Sequence, residues 1–424
     1  MPRAVRDGLP LSEEQRDFVS LARDFALREI RPRARAVDDA DHESPLDLWD
    51  KAGKLGLASF MLPAQYGGGG VTDLVTQALV QQELCYGDIG IGNLLTSNGF
   101  FAGPVEALGT DEQKKRWLTP LTGDNPPLTA LAVTEPDVGS DAAALRTRAV
   151  RDGGHYVLNG QKAWISNAPY ARWTVIFTTV DPALRSRGIT AFVVDRETPG
   201  LTLGSPMSKM GQRAIVSAEI FLDNVRVPVE NRLGEEGEGF RGLMRTFDAS
   251  RILIGAACTG LARAALDASI DYAKQREQFG KPIIDHQAVA FRLADMAAKV
   301  DTAHLLTLRA ARLHDAGEQV AEEAAIAKLV ASESAMFCTW AALQTHGGWG
   351  YSRELLLEKW MRDAKLEEIE EGTSDIQRLI ISRSLGSSGR ERKPGSSGRE
   401  RKSGSSGRER KRGRAAGSGS PARP

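Results

Sequence analysis

The sequence is poor in the features that mark secreted, membrane-spanning or metal-clustered proteins. Its 424 residues hold only 3 cysteines, Cys85, Cys258 and Cys338, and their scattered positions fit neither a disulfide framework nor a metal cluster. No uncharged apolar run reaches the roughly 18 residues that a membrane span needs. The opening MPRAVRDGLP has no apolar stretch to act as a signal peptide, so a soluble, cytoplasmic protein is expected. A net charge is lacking too, with 55 basic residues against 55 acidic, but that balance is an average over two unlike parts. Residues 386–424 carry 12 Arg/Lys against 3 Glu, and the remaining 385 residues carry 43 basic against 52 acidic. The acidic body argues against nucleic acid as its main ligand.

What is present divides into four segments. In 386–424, GSSGRERK begins at Gly386, Gly395 and Gly404, and alanines are the segment's only apolar side chains. With nothing to bury, this basic repeat is expected to be disordered, a linker or a tail able to touch polyanions. Residues 11–127 read as an N-terminal helical domain. Ser12 with Gln15 and Thr110 with Gln113 are capping boxes, and Phe18, Leu21, Ala22 and Phe25 follow at helical spacing. YGGGG (66–70) is a turn before a helix with Leu74, Ala78 and Leu79 on one face.

Residues 128–233 change in texture. Short runs rich in β-branched and aromatic residues (128–134, 156–158, 163–166, 174–180, 190–194 and 218–222) alternate with turn residues at Asp152-Gly153-Gly154, Asn159-Gly160 and Asp223-Asn224. Asn159-Gly160 predicts a two-residue hairpin. No helices alternate with these strands, which disfavours a doubly wound parallel sheet and predicts an antiparallel sheet or small barrel. Residues 234–385 return to helix, including an unbroken stretch over 286–314. The expected fold is therefore α+β and multidomain: N-terminal helices, a central antiparallel β-sheet or barrel, a C-terminal helical bundle and a disordered tail.

Five segments could carry chemistry, each with an ordinary reading beside the functional one. Gly237, Gly239 and Gly242 spell G-x-G-x-x-G, but the acidic ENRLGEE before them is no buried strand, so they open a helix rather than bind a dinucleotide. LAVTEPDVGSD (131–141) ends a strand in a small-residue loop whose N–H groups and Ser140 hydroxyl suit a polar heterocycle, or form a plain polar loop. In QKAWISN (161–167), period-two alternation puts Trp164 and Ser166 on one strand face, an aromatic wall for a flat ring or a core edge. Arg276 in REQFGKPIIDHQ could meet a phosphate bidentately or cap a solvated helix end. In KLEEIEEGTSDIQR (365–378), Gly372 reads as the residue after a helix end and Thr373 or Ser374 as the cap of a new helix, whose N-terminus offers N–H groups to an anion. Glu371, at that break, is placed for base chemistry, whereas Glu367, Glu368 and Glu370 look like a solvated acidic face, with which composition alone would count Glu371 too.

In order and spacing, LAVTEPDVGSD, NGQKAWISN, KMGQR, FDASR, REQFGKPIIDHQ, QTHGGWGY and MRDAKLEEIEEGTSDIQR resemble the acyl-CoA dehydrogenase family over about 11–385. The resemblance implies FAD-dependent α,β-desaturation of an acyl-CoA thioester to the trans-2-enoyl-CoA. It implies Glu371 as the α-proton base, hydride passing to the flavin, and electrons leaving to an electron-transferring flavoprotein. The Glu371 N–H and a ribityl hydroxyl of FAD would hold the thioester oxygen. FAD contacts would come from Leu131, Val133, Thr134, Ser140, Trp164, Ile165 and Ser166, and from Gly372, Thr373, Ser374 and Asp375. Arg276, Phe279, Gln287, Gln344, Gly347 and Gly348 would also touch FAD, with Arg276 and the Gln344 segment serving a neighbouring subunit, which implies a homotetramer or at least a dimer. Ser140, Asp248, Arg251, Glu371 and Gly372 would meet the substrate. Two features depart from the family pattern: Glu370 stands where straight-chain members commonly have Tyr, and the repeat tail has no counterpart. Same-fold rivals would use an acyl carrier protein or oxygen, and a non-enzymatic rival would be a scaffold that holds polyanions by its tail.

Overall fold

A computed structural model describes residues 11–387, so most of the repeat tail lies outside the described residues. Seven helices come first: α1 (Glu13–Phe25), α2 (Ala34–Asp39), α3 (Leu46–Lys54), α4 (Leu74–Gly87), α5 (Ile89–Thr96), α6 (Asn98–Leu108) and α7 (Asp111–Leu118). Both capping boxes form, each Ser or Thr hydroxyl accepting the N–H three residues on while the Gln side chain accepts the cap's own N–H. α4 is more enclosed than its one-faced sequence pattern predicts, because α1 and α8 both pack against it and bury nearly every residue.

The middle of the chain forms β1 (Thr129–Ala132), β2 (Arg148–Asp152), β3 (His155–Ser166), β4 (Trp173–Thr179), β5 (Ile189–Asp195), β6 (Leu201–Leu203), β7 (Ser217–Pro228) and β8 (Arg232–Leu233). The strands run in the order β6-β7-β3-β2-β4-β5-β8. Most pairings are antiparallel as expected, but β1 lies parallel to β4 and β2 touches β4 in parallel register, so the sheet is mixed. The Asp152-Gly153-Gly154 turn closes the β2–β3 hairpin. Asn159-Gly160 does not turn: it lies inside β3 as a bulge opposite β7, with Gly160 at φ 150° and packed where a Cβ would stand 2.7 Å from Thr147 Cα. Asp223-Asn224 likewise sits within β7, where the Asn224 N–H donates to Asn159 Oδ1 at 2.8 Å. Cross-strand partners, rather than local turn propensity, decide both places.

The C-terminal part holds α8 (Gly239–Gln275), a small hairpin of β9 (Glu277–Gln278) and β10 (Lys281–Pro282), α9 (Gln287–Asp315), α10 (Ala321–His346), the single turn α11 (Gly348–Tyr351), α12 (Leu357–Glu367) and α13 (Ser374–Ser387). Gly239 opens α8 after a two-residue strand, so the G-x-G-x-x-G is indeed a loop leading into a helix. Cys258, Leu261, Met296, Val300, Ala331, Cys338 and Trp360 join α8, α9, α10 and α12 in one core. Small residues allow close approach: a Cβ on Gly260 would lie 2.3 Å from the Gln82 carbonyl oxygen, where α8 crosses α4. α8 and α10 are long and apolar enough to cross a membrane by composition, but 83% of the α8 window is buried inside the fold, as suits a core helix.

Candidate active site

The sharpest corner in the C-terminal part follows α12. That helix ends at Glu367, earlier than the glycine signal predicts, and a turn over 368–370 carries the chain into two consecutive left-handed residues, Glu371 (φ 54°) and Gly372 (φ 94°). A left-handed non-glycine residue costs of order 1–3 kcal/mol and persists only where its surroundings fix it. Here they do. The Glu371 carbonyl accepts from Arg251 Nε (3.2 Å) and Gln377 Nε2 (3.2 Å), and the Gly372 carbonyl accepts from Gln377 Nε2 (2.7 Å) and Lys328 Nζ (3.0 Å). Lys328 and Gln377 are both fully buried. α13 then starts with Thr373 as its cap, the hydroxyl accepting the Ile376 N–H at 3.3 Å.

The corner presents Glu371 for proton chemistry. The Ser250 hydroxyl of α8 donates to Glu371 Oε2. Burial pushes the Glu371 carboxyl up to about 7, with the Ser250 hydrogen bond and the Arg251 and Lys328 charges opposing that rise and the neighbouring Glu370 adding to it. Among the described residues the Glu371 N–H has no hydrogen-bond partner, so it is free to donate to a bound oxygen. Ser374 Oγ, one turn along, is buried and equally unpartnered. Arg251, expected at the substrate, is buried against this backbone and pairs with Asp248 at 3.4 Å, so its visible work is to hold the corner.

The acidic residues before the corner are not the solvated face that composition predicts. Glu368 does reach the surface, paired with Lys365 at 2.6 Å. Glu367 is fully buried, and its Oε1 accepts from Gln212 Nε2 (2.6 Å) and Asn93 Nδ2 (3.2 Å). Glu370 is half-buried beside it. Spacing could not show this, because Asn93 and Gln212 arrive from α5 and from the segment between β6 and β7.

A second cluster lies in the β domain. Lys162 of β3 is fully buried, and its Nζ donates to the Val133 carbonyl (2.8 Å) and to Glu135 Oε1 (2.9 Å). Glu135 in turn accepts the Arg146 and Thr147 N–H groups at 2.7 and 2.9 Å. Burial drops the Lys162 ammonium to about 8 despite its partner. This clamp, with the Ala163 N–H on the Thr134 carbonyl at 2.9 Å, joins the loop after β1 to the end of β3. Sequence reasoning missed Lys162 and Glu135, though both stand inside the quoted motifs. Beyond the clamp Ile165 is buried while Trp164 and Ser166 are exposed as expected, but the strand is irregular there: the β3–β7 ladder shifts register between Lys162 and Ile165, and Trp164 is 60% exposed with φ at 62°. Leu131, Val133 and Thr134 are half-buried beside that face, and Ser140 is exposed. A large indole left open on a rigidly held strand end suits stacking against a flat ring, so the residues fit a flavin.

Arg276, Phe279, Gln344, Gly347 and Gly348 gather elsewhere. Arg276 caps α8 and lines an open groove of about 680 Å³ with Tyr272, Gln344, Gly347 and Gly348. Phe279, at the tip of the β9–β10 hairpin, is 95% exposed, and Gln287 is exposed at the start of α9. Arg251 and Arg276 stand at the two ends of a 25-residue stretch of α8, which at 1.5 Å per residue spans roughly 37 Å. The groove is therefore too far from Glu371 to line the same small pocket in one chain.

Sequence models of the acyl-CoA dehydrogenase N-terminal, middle and C-terminal domains match residues 12–124, 130–225 and 237–386. The chain is 45% identical over 379 residues to the probable acyl-CoA dehydrogenase YngJ of Bacillus subtilis, covering 88% of this chain and 98% of that protein. Among solved structures, butyryl-CoA dehydrogenase from Megasphaera elsdenii superposes with a TM-score of 0.86 at 37% identity, covering 89% of this chain and 99% of that one. A chain in a structure described as the electron transferring flavoprotein of Acidaminococcus fermentans gives 0.86 at 39% identity, with the same coverage of 89% and 99%.

Proposed function

The chain belongs to the acyl-CoA dehydrogenase family, an FAD-dependent oxidoreductase acting on CH–CH bonds of acyl-CoA thioesters, and we propose that Glu371 is its catalytic base. The observation that carries this reading is the corner itself: a carboxylate fixed by Ser250, on a backbone held by Arg251, Gln377 and Lys328, beside an N–H with no partner. A thioester oxygen bound to the Glu371 N–H becomes more negative as the α-proton leaves, so the donor's hold strengthens along the reaction. A Glu371 carboxyl near 7 suits the task, ionised enough to accept a proton at neutral pH and basic enough to keep it. FAD, when bound, supplies the acceptor for the hydrogen that leaves Cβ as hydride. Val133, Thr134, Trp164 and Ser166 would hold the flavin ring, with Ile165 buried in the β-domain core between Trp164 and Ser166, Leu131 and Ser140 on the loop beside it, and Gly372, Thr373, Ser374 and Asp375 as the contacts next to the base. Asp248 and Ser140 border the CoA thioester.

The groove around Arg276 serves a neighbouring copy's FAD, its roughly 37 Å offset along α8 supporting at least a dimer, with a homotetramer the assembly that the family resemblance implies. Electrons leave to an electron-transferring flavoprotein, and the likeness to a butyryl-CoA dehydrogenase points to a short acyl chain. All three cysteines are free and buried, in keeping with a reducing cytoplasm. The basic tail adds a salt-sensitive contact with polyanions.

The test is an anaerobic titration of the purified protein with saturated acyl-CoAs of graded length, followed at the flavin absorption band. Bleaching by short acyl-CoAs, lost in Glu371→Gln, is the expected result. A yellow protein that no acyl-CoA bleaches would overturn the reading.

A further inference from the structure

The base has two further carboxyl groups at its back. Glu367 has no exposure, and its Oε1 is saturated by the Gln212 and Asn93 amides, both donors. No lysine or arginine stands within ion-pair distance of it among the described residues; Lys328, the nearest cation in its field, is committed to the Gly372 carbonyl. A carboxylate buried with no counter-ion is costly, so Glu367 keeps its proton. The proton belongs on Oε2, which is buried and has no amide or hydroxyl partner. The neighbouring carboxyl is that of Glu370, three residues along the turn that follows α12.

Glu370 differs in its surroundings. It is half-buried, and it lies in the field of Lys209 as well as Lys328. Lys209 is anchored on the Gln212 and Ile215 carbonyls, which holds its ammonium in position, although burial drops that ammonium to about 8. Of the two acids Glu370 is therefore the one to ionise, and as the residue next to Glu371 it adds its negative charge to the base. We infer that Glu367 and Glu370 hold one proton between them, seated on Glu367, and that the resulting Glu370 carboxylate sets the pH at which Glu371 takes the α-proton.

Every charged or titratable neighbour on the surrounding elements enters the balance. Ser250 and Arg251 of α8 and Lys328 of α10 favour the ionised base, whereas Glu370 opposes it. Burial raises the Glu370 carboxyl, whereas the Glu367 acid, Lys328 and Lys209 favour its carboxylate. Cys258 of α8 and Cys85 of α4, the other titratable groups near Glu367, are pushed up by burial and stay neutral thiols. Glu367 and Glu370 do not touch the reacting atoms in this account; they are positioning residues, and the inference rests on Glu371 being the base.

Two readouts on the holoprotein test it. The first is the pH dependence of flavin bleaching by a short acyl-CoA. Glu370→Gln removes the neighbouring charge and lowers the base's apparent pKa by about one unit, so the variant gains relative rate at pH 6; Glu370→Tyr does the same should the glutamine variant fold poorly. Glu367→Gln imitates the protonated acid and keeps the apparent pKa within about 0.3 unit of wild type. The second is infrared spectroscopy of protein labelled with ¹³C-glutamate at pH 8, where one buried carboxylic acid C=O band is expected in wild type and none in Glu367→Gln. An unshifted Glu370→Gln profile, a Glu367→Gln shift as large as that of Glu370→Gln, or no acid band at pH 8 would each overturn the acid pair. Wild type that bleaches with no acyl-CoA counts against the proposed function instead, and the infrared band still decides where the proton sits.

Discussion

The Glu371 corner and the Arg276 groove are both made of motif residues, yet they are built in opposite ways. At the corner the Glu371 and Gly372 carbonyls are both held by side chains of the same chain, with Lys328 and Gln377 brought in fully buried to do it. At the groove, Arg276, Gln344, Gly347 and Gly348 are exposed, and Phe279 extends into solvent. A site that is complete in one chain spends buried contacts on its geometry. The open groove suits the proposed contact with a second copy, which would leave its binding groups free in one chain. On that proposal the contrast separates catalysis, at the corner, from assembly, at the groove.

The strongest way to break the comparison is at the base. Glu371→Gln, nearly isosteric, should lower the rate of flavin bleaching by about 10²–10⁴-fold while leaving FAD content and oligomeric state unchanged. Loss of FAD together with the rate would show that the corner is not a purely chemical site. The matching change in the groove, Arg276→Ala, should weaken FAD retention by roughly ten- to a hundredfold, the worth of a charge-assisted contact, and make it sensitive to dilution. Equilibrium dialysis at two protein concentrations checks this, and a concentration-independent loss would assign Arg276 to its own chain's cofactor.

Smaller effects sharpen the picture of the corner. Ser250→Ala removes a donor that favours the ionised carboxylate, so the base's apparent pKa should rise by about half a unit to one unit. The rate at pH 6.5 then falls more than the rate at pH 9, and a uniform fall would point to misplacement instead. Stability follows from the same group. The folded chain binds the Glu371 proton more tightly than the unfolded chain, so this contribution is complete below the ordinary value of 4.5 and is lost as the pH rises through about 7. Thermal unfolding should show a Tm that declines between pH 5 and pH 8, with a shallower decline in Glu371→Gln.

Much of this was legible in the sequence where local chemistry decides the outcome. The Ser12 and Thr110 capping boxes form because both partners lie within four residues. Trp164 and Ser166 are both exposed on either side of buried Ile165, although the β3–β7 ladder shifts register at Trp164. The misreadings share a cause. Asn159-Gly160 carries the turn chemistry of a hairpin, but pairing with β7 and the close approach of Thr147 keep it inside β3. Glu367 sits in a run of acids that reads as surface, and what buries it are amides 274 and 155 residues away. Lys162 and Glu135 were overlooked although both stand in the quoted motifs, because a lysine gives no sign in sequence that it will be enclosed.

α8 ties the two contrasted regions together. It runs 37 residues without a proline, and Gly260 brings its backbone against α4 between Ser250 and the helix end at Gln275. It is packed along its length against α4, α9 and α10, with buried residues from Gly239 to Ala273. Whatever seats against Arg276 at one end is therefore joined, with no intervening loop to absorb a displacement, to the serine that holds the base at the other.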